Sequence, residues 1–263
     1  METSKKVHNR QEYLLKKLAQ VKQMSVEDVS NDLRVSLPTA RRLCTKMANE
    51  NMVIRTHGGI RIPPVAQLPY SFKEMQNEQV KEKALIAEYA CGLIRSGQTI
   101  FLEAGTTVLQ LAIVLARRIE NRDLTGLIIY TNSLSNLDVL EPVHVVNVIG
   151  GEYRPARRDF SGYISERTIR NLRFDMCFVG TDAIDPHDGI MAHDASTVQF
   201  DELLIQRSAT SVVLAQSSKF NRHSFISYAA LSDVSYIITD SALPMEIYQR
   251  CNAVSDNIIL VQE

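Results

Sequence analysis

The sequence predicts a two-part α/β chain: a small helical head closed by a hairpin, then a larger body built on a mostly parallel sheet. Three observations predict it. Helix-period apolar patterns fill the first fifty residues, prolines cluster at Pro63, Pro64 and Pro69, and beyond residue 97 short β-rich runs alternate with helical segments.

In the head, Leu14, Leu15, Leu18 and Val21 recur at helical spacing and predict a first helix. Ser25 precedes Val26, Val29 and Leu33, with Asp28 three residues on, a capping-box arrangement that starts a second. Ser36 caps a third, whose early Pro38 needs no intrahelical donor and whose apolar positions are Ala40, Leu43, Cys44 and Met47. Asn51 can take the left-handed conformation that ends it. The run from Met52 to Arg61 reads as a strand, a turn at Gly58-Gly59 and a return. Three helices with a short turn between the second and third, followed by a hairpin, form a winged helix-turn-helix pattern. We place this head at residues 1–62, a linker at 63–80 and the body at 81–263.

In the body the expected strands are Thr99–Leu102, Leu127–Tyr130, Val145–Ile149, Met176–Val179, Ser211–Ala215, Tyr236–Thr239 and Ile258–Val261. Helices are expected near 107–119, 133–140, 161–172, 194–209 and 243–251. Such alternation implies a mostly parallel sheet covered by helices on both faces, with ligands at the carboxyl ends of the strands.

The net charge of −1 hides an asymmetry. Residues 1–62 hold twelve Lys/Arg against six Asp/Glu, while the remainder holds seventeen against twenty-four. A basic head on an acidic body points to a polyanionic partner for the head, and a helix-turn-helix makes double-stranded DNA that partner. Ser36, Thr39, Arg41, Arg42 and Lys46 lie within about three helical turns. Arg41 and Arg42 suit phosphate, whereas Ser36, Leu37 and Thr39 at the helix start are placed for base readout. Arg55, His57 and Gly58 belong to the wing.

The strand ends of the body carry small polar groups: Glu103-Ala104-Gly105-Thr106-Thr107, Thr131-Asn132-Ser133, Gly150-Gly151-Glu152-Tyr153-Arg154, Gly180-Thr181-Asp182 and Gln216-Ser217-Ser218-Lys219. Their convergence on one edge suits a phosphorylated sugar, with hydroxyls and helix-start amides for phosphate, Arg154 or Lys219 for charge and Asp182 for sugar hydroxyls. Arg157 and Arg158 read as a loop ion-pair cluster. His144, His187, His193 and His223 lack metal-ligand spacing, and no P-loop, nucleophile elbow or complete dinucleotide fingerprint is present, so neither metal nor cofactor is expected.

Hydrophobic content of 45% and charged content of 22% describe a soluble globular chain. Four dispersed cysteines without a C-x-x-C pair suggest a reducing cytoplasm. No apolar run approaches membrane-spanning length, and no membrane partner is expected.

The ordered motifs resemble the DeoR-type family of bacterial transcriptional regulators of sugar metabolism. The resemblance rests on Arg10-Gln11-Glu12-Tyr13-Leu14-Leu15, on Val35 to Cys44, on His57-Gly58-Gly59, and on the Gly105-Thr106-Thr107, Thr131-Asn132-Ser133, Gly150 to Arg154, Gly180 to Asp182 and Ser217 to Phe220 segments. It implies a repressor whose head binds operator DNA and whose body, similar to ribose-5-phosphate isomerase and CoA-transferase-like folds, binds a phosphorylated sugar. It also implies a homo-oligomer, dimer or tetramer. Departures are Glu103 for the family's usual Asp, Thr197 and Asp201 for its Glu and Lys, Gln216 for an Asp before S-S-K, and Ala40, Leu43 and Cys44 in the recognition helix. Two other readings stand beside it. One is a sugar-phosphate isomerase-like enzyme with Asp182 as general base; the other is a regulator that has lost small-molecule sensing.

Overall fold

The computed structural model describes residues 10–11, 13–14, 17–18, 21, 23–49, 53–56, 58–61 and 71–262. Its contacts divide the chain into two compact units, Met1–Pro69 and Tyr70–Glu263. Leu15, Asn51, Met52, His57 and the prolines at 63, 64 and 69 lie outside the described residues.

In the first unit, β1 (Gln23–Ser25) leads into α1 (Val26–Leu33), followed by α2 (Leu37–Asn49), β2 (Ile54–Arg55) and β3 (Gly59–Arg61). The Ser25 hydroxyl accepts the Asp28 N–H at 3.0 Å while the Asp28 carboxylate accepts the Ser25 N–H at 2.9 Å, the reciprocal cap that the spacing predicts. Left-handed Arg34 ends α1, and the Ser36 carbonyl accepts the Ala40 N–H at 2.9 Å to open α2. Ala40, Leu43, Cys44 and Met47 all turn inward, joining Leu14, Leu18, Val26, Val29 and Ile60 in one core. Burial of each large aliphatic is worth roughly 1.5–3 kcal/mol, so this face of α2 is committed to the fold while Leu37, Arg41, Arg42 and Lys46 stay exposed. The hairpin gains β1 as a third, antiparallel strand, in the order β1-β3-β2.

The second unit opens with α3 (Phe72–Met75) and α4 (Val80–Gly92), then β4 (Thr99–Leu102), α5 (Thr106–Glu120), β5 (Ile128–Thr131), α6 (Leu134–Leu140) and β6 (Val146–Val148). A hairpin of β7 (Glu152–Arg154) and β8 (Asp159–Ser161) precedes α7 (Tyr163–Arg170) and β9 (Phe174–Val179). Next come β10 (Ala183–Asp185), β11 (Gly189–Ala192), α8 (Ala195–Gln206), β12 (Ser208–Leu214), β13 (Ile226–Ala229), β14 (Tyr236–Asp240), α9 (Met245–Asn252) and β15 (Ile258–Val261). Seven strands form a parallel sheet in the order β15-β14-β12-β9-β4-β5-β6.

Period-two alternation gives the sheet two apolar faces. Ile100, Leu102, Met176, Phe178, Val212 and Leu214 pack on one side with α4 and α5, and Phe101, Cys177, Val179 and Val213 pack on the other with α8. The chain builds outward from β4 through β5 to β6, then returns to β9 on the other flank of β4. The order reverses there, and the crevice between the ends of β4 and β9 is where ligands of such sheets bind.

The linker reading of 63–80 needs correction at residues 71–80, which belong to the body. Phe72 is 1% exposed, and its N–H donates to the Ala156 carbonyl at 2.9 Å. Lys83, 1% exposed, donates from Nζ to the carbonyls of Met75 at 2.6 Å and Glu78 at 2.7 Å. The polar sequence hides this because the anchors are one aromatic ring and a set of backbone groups. No helix among the described residues is long and apolar enough to cross a membrane.

Candidate effector site and nucleic-acid interface

A cavity opens at the sheet's reversal point. After β4 come Glu103, Ala104 and Gly105, with Thr106 and Thr107 starting α5; after β9 come Gly180, Thr181 and Asp182. Arg157, Thr197, Asp201, Gln216, Lys219, Ala192 and Met75 complete the wall. Its enclosed room is only about 40 Å³, within about 500 Å³ of empty space that includes the open mouth. The enclosed part suits a few waters, so a larger occupant has to displace lining side chains. Met75 is placed for this, on the short stretch held by Phe72, Lys83 and a Ser218 to Gln79 hydrogen bond of 2.6 Å.

The charges of the site are dense. Glu103 Oε2 accepts the Gly180 N–H at 3.3 Å and fills the gap between Gly105 and Gly180, where a Cβ on Gly105 would stand 3.3 Å from it. Burial, reinforced by Asp159, raises its pKa to about 7 against the pull of Arg157, the Gly180 N–H and Arg154. Asp201 is pushed well upward, first by burial and then by the Glu103 charge, with Arg157 and Arg154 opposing. Asp182 Oδ2 accepts the His193 N–H at 2.9 Å and lies 3.6 Å from Arg157. Arg157 reaches Asp194 at 3.0 Å. Lys219 is pushed downward by burial, with Asp182 pulling it back up.

A carboxyl with a raised folded-state pKa stabilises the fold most below its unfolded pKa. The contribution is lost as pH rises through the folded value. Glu103 therefore weakens the body between about pH 4.5 and 7. Denaturant titrations at pH 5 and pH 7.5 should show the wild type losing stability relative to Glu103→Gln as pH rises. The same pH response in both proteins would show that Glu103 is not the titrating group.

The site residues expected from the strand ends separate into two groups. Glu103, Gly105, Thr106, Thr107, Asp182 and Lys219 line the cavity together. Thr131, Asn132, Ser133, Gly151 and Arg154 are not on its wall. Thr131 Oγ1 donates to the Leu102 carbonyl at 2.6 Å, and the Ser133 hydroxyl caps α6 by accepting the Asn136 N–H at 3.2 Å. Asn132 Nδ2 donates to the Phe160 carbonyl at 3.1 Å, so the whole segment braces β4 and the β7–β8 hairpin. Gly151 is required by packing, since a Cβ there would fall 2.1 Å from Ser165 Oγ. Arg154 grips Asp159 through two guanidinium nitrogens and reaches Asp194 at 2.8 Å and Thr197 at 3.1 Å.

Arg157, read as part of a loop cluster, instead stands on the cavity wall with about a tenth of its surface exposed. Its partners Asp182 and Asp194 come from distant sequence, which no local pattern reveals. Arg158 turns outward to Asp138 at 2.8 Å. His223 has company as well, with Nδ1 2.8 Å from Asp188 Oδ2 and Asp185 nearby, but Asp185 Oδ1 is already taken up by the N–H groups of His187 and Asp188.

On the head, Ser36, Leu37, Arg41, Arg42 and Lys46 are exposed, and Thr39 is half-buried with its Oγ1 2.9 Å from Ser36 Oγ. Arg42, Lys46 and Thr39 share a cleft with Arg10, Val35 and Leu43, bringing three cations together. Arg10 adds a cation that the recognition-helix reading overlooked. In the wing, Arg55 donates to the Gly59 carbonyl at 3.0 Å and Gly58 is exposed, while His57 lies outside the described residues.

Against known proteins, a family model described as the DeoR C terminal sensor domain matches residues 78–241, and a DeoR-like helix-turn-helix domain matches residues 10–64. The chain belongs to the DeoR family. A DeoR-family chain is a transcriptional regulator, so the isomerase-like enzyme reading falls away. The lactose phosphotransferase system repressor of Streptococcus mutans is 31% identical over 225 residues, covering 82% of this chain and 84% of that protein. The HTH-type transcriptional regulator GlpR of Haloferax volcanii is 28% identical over 237 residues, covering 89% and 90%. Among solved structures, a D-ribose-5-phosphate isomerase in complex with phospho-erythronic acid aligns over 54% of each chain at 14% identity, with a TM-score of 0.42. Within this DeoR sensor domain Glu103, Thr197, Asp201 and Gln216 all face the cavity, and Gln216 Nε2 donates to Thr107 Oγ1.

Proposed function

We propose that this chain represses a carbohydrate-use operon, holding double-stranded operator DNA with α2 and the wing and responding to a phosphorylated sugar in the body cavity. The observation that carries the sensing half is the cavity at the sheet's reversal point, where the N-terminus of α5 and its two threonines meet Arg157 and Lys219. Helix-start amides and paired cations favour a phosphate, and Asp182 suits hydroxyls. The name of the Streptococcus relative supports a carbohydrate operon. A cytoplasmic homo-oligomer, dimer or tetramer, fits this reading because two heads read two half-sites.

The response works by differential binding. An occupant larger than the present enclosed room favours a body in which Met75 and its stretch have moved, and that stretch continues directly toward the head in sequence. Thermal unfolding with a panel of phosphorylated sugars tests the sensing half, since a ligand at a hundred times its Kd adds about 2.7 kcal/mol. Fluorescence anisotropy on DNA from upstream of the gene tests the other half. We expect nanomolar binding at low salt that changes when the stabilising sugar is added. A silent panel would return the chain to the reading of lost small-molecule sensing; no salt-sensitive DNA binding would remove the repressor reading itself.

A further inference from the structure

We infer that residues 71–79 are a strap along the effector cavity that carries its occupancy toward the head, and that Lys83 is the latch holding the strap in place. The inference rests on the sensing half of the proposed function and adds how that site is read.

At three places the strap is tied to the body on or beside a residue of the cavity wall. The Phe72 N–H donates to the Ala156 carbonyl at 2.9 Å, and Arg157 follows Ala156 onto the wall. Met75 is itself on the wall, and its carbonyl accepts from Lys83 Nζ at 2.6 Å. The Ser218 hydroxyl donates to Gln79 Oε1 at 2.6 Å, and Lys219 follows Ser218 onto the wall. A shift of the wall at any of these points therefore pulls on the strap.

The central tie is a buried charge. Lys83, on the first turn of α4, is 1% exposed, and burial first, then the Lys219 cation, push its pKa down to about 8 against Glu78 and Glu82. Its ammonium closes the end of α3 by donating to the Met75 carbonyl and, at 2.7 Å, to the Glu78 carbonyl. Both acceptors are strap backbone, so the bonds last only while the strap keeps its path. Losing them leaves a buried ammonium short of acceptors, which makes the tie two-state, either latched or released.

Met75 is the trigger. On the cavity wall it is the one apolar side chain larger than alanine, unbranched and with no polar bond to lose. A phosphorylated sugar exceeds the enclosed room of about 40 Å³, and Met75 is the group that yields to it. The sugar then selects the released strap, and its apparent affinity is reduced by the fraction of molecules in which the strap is released. Weakening the latch must therefore tighten sugar binding, although removing a cation near an anion site by itself weakens it. The two effects have opposite signs, so a variant of Lys83 tells them apart. Lys83 is a positioning residue, acting on the site through Met75.

The test uses the full chain with glucose-6-phosphate, fructose-6-phosphate, galactose-6-phosphate and ribose-5-phosphate, the tightest binder of these being carried forward. In isothermal titration Lys83→Met should bind it about ten-fold tighter than wild type, because the bonds from a charged donor are lost from the latched form alone. Gln79→Ala removes one neutral hydrogen bond at an exposed residue, should bind about three-fold tighter, and decides the matter if Lys83→Met does not fold. On DNA from upstream of the gene, each variant without sugar should be shifted toward the affinity that wild type shows with sugar. Amide exchange across 72–79 should speed up in wild type on adding the sugar, and in both variants without it. Sugar binding no tighter than wild type in the variants that fold, operator affinity unshifted in them, or a wild-type strap whose exchange ignores the sugar overturns this inference and leaves phosphorylated-sugar sensing in place. Binding of none of the four sugar phosphates by wild type overturns the sensing reading and this inference with it.

Discussion

The double variant Arg41→Ala, Arg42→Ala loses at least two orders of magnitude in operator affinity per head while its fold is unchanged. Both side chains leave α2 on its exposed face, and none of the inward positions Ala40, Leu43, Cys44 and Met47 depends on them. Each hydrogen bond from a charged donor is worth about 1.5–3 kcal/mol, so two lost phosphate contacts cost about 3 kcal/mol or more. Salt separates this loss from a general weakening. The slope of log affinity against log salt should flatten by about 0.9 for each phosphate contact removed. Arg42 shares its cleft with Arg10 and Lys46, so Arg10→Ala should flatten the slope further. Anisotropy titrations between 50 and 200 mM salt, with circular dichroism as a fold control, decide it. Wild-type affinity and slope in the double variant would take α2 out of the DNA interface.

How much of this was legible depends on whether a feature is local. The capping box at Ser25 and Asp28, the inward positions of α2 and the parallel strands are written in short-range spacing, and β4 and β15 fall where the residues place them. Strand β1 is only three residues long, Gln23 to Ser25, and becomes a strand because β3 pairs with it. The antiparallel sheet of β10, β11 and β13 escapes for the same reason. Its β10–β11 hairpin is local, but the β11–β13 pairing joins residues more than thirty apart, with an irregular register between Ile190 and Met191.

The cavity divides along the same line. Gly105, Thr106, Thr107 and Asp182 follow strands and can be found by rule, whereas Arg157 and Met75 arrive from a loop and an apparent linker through tertiary contacts. Thr131, Asn132 and Ser133 also follow a strand, yet β5 lies one strand away from the reversal point, so their polar groups brace β4. A polar strand end is therefore evidence for a site only once strand order is known. The departures at Thr197, Asp201 and Gln216 were visible in sequence, and the cavity shows that they cluster around one volume.

The wing carries the second large effect. Gly59→Ala should destabilise the head by about 3 kcal/mol, the upper end for overpacking, because the added Cβ would meet backbone that cannot move alone. It would fall 2.0 Å from the Met24 carbonyl oxygen and 2.8 Å from Ser25 Cα, inside the β1–β3 ladder. Separating those strands also releases the Val26 N–H from the Gly58 carbonyl, a 2.9 Å bond, and the Arg55 guanidinium from the Gly59 carbonyl. Met24 and Ile60 would then leave the head core. Gly58 is the matched control. A Cβ there meets nothing within 4 Å, so Gly58→Ala should stay within about 0.5 kcal/mol of wild type. Hydrogen exchange reads the two units separately. Gly59→Ala should lose protection across β1, β3 and α1, with DNA binding falling in parallel, while the body keeps its protection and its response to sugar phosphates. Equal protection in the two alanine variants would mean that the close approach of Gly59 to Met24 does not hold the wing.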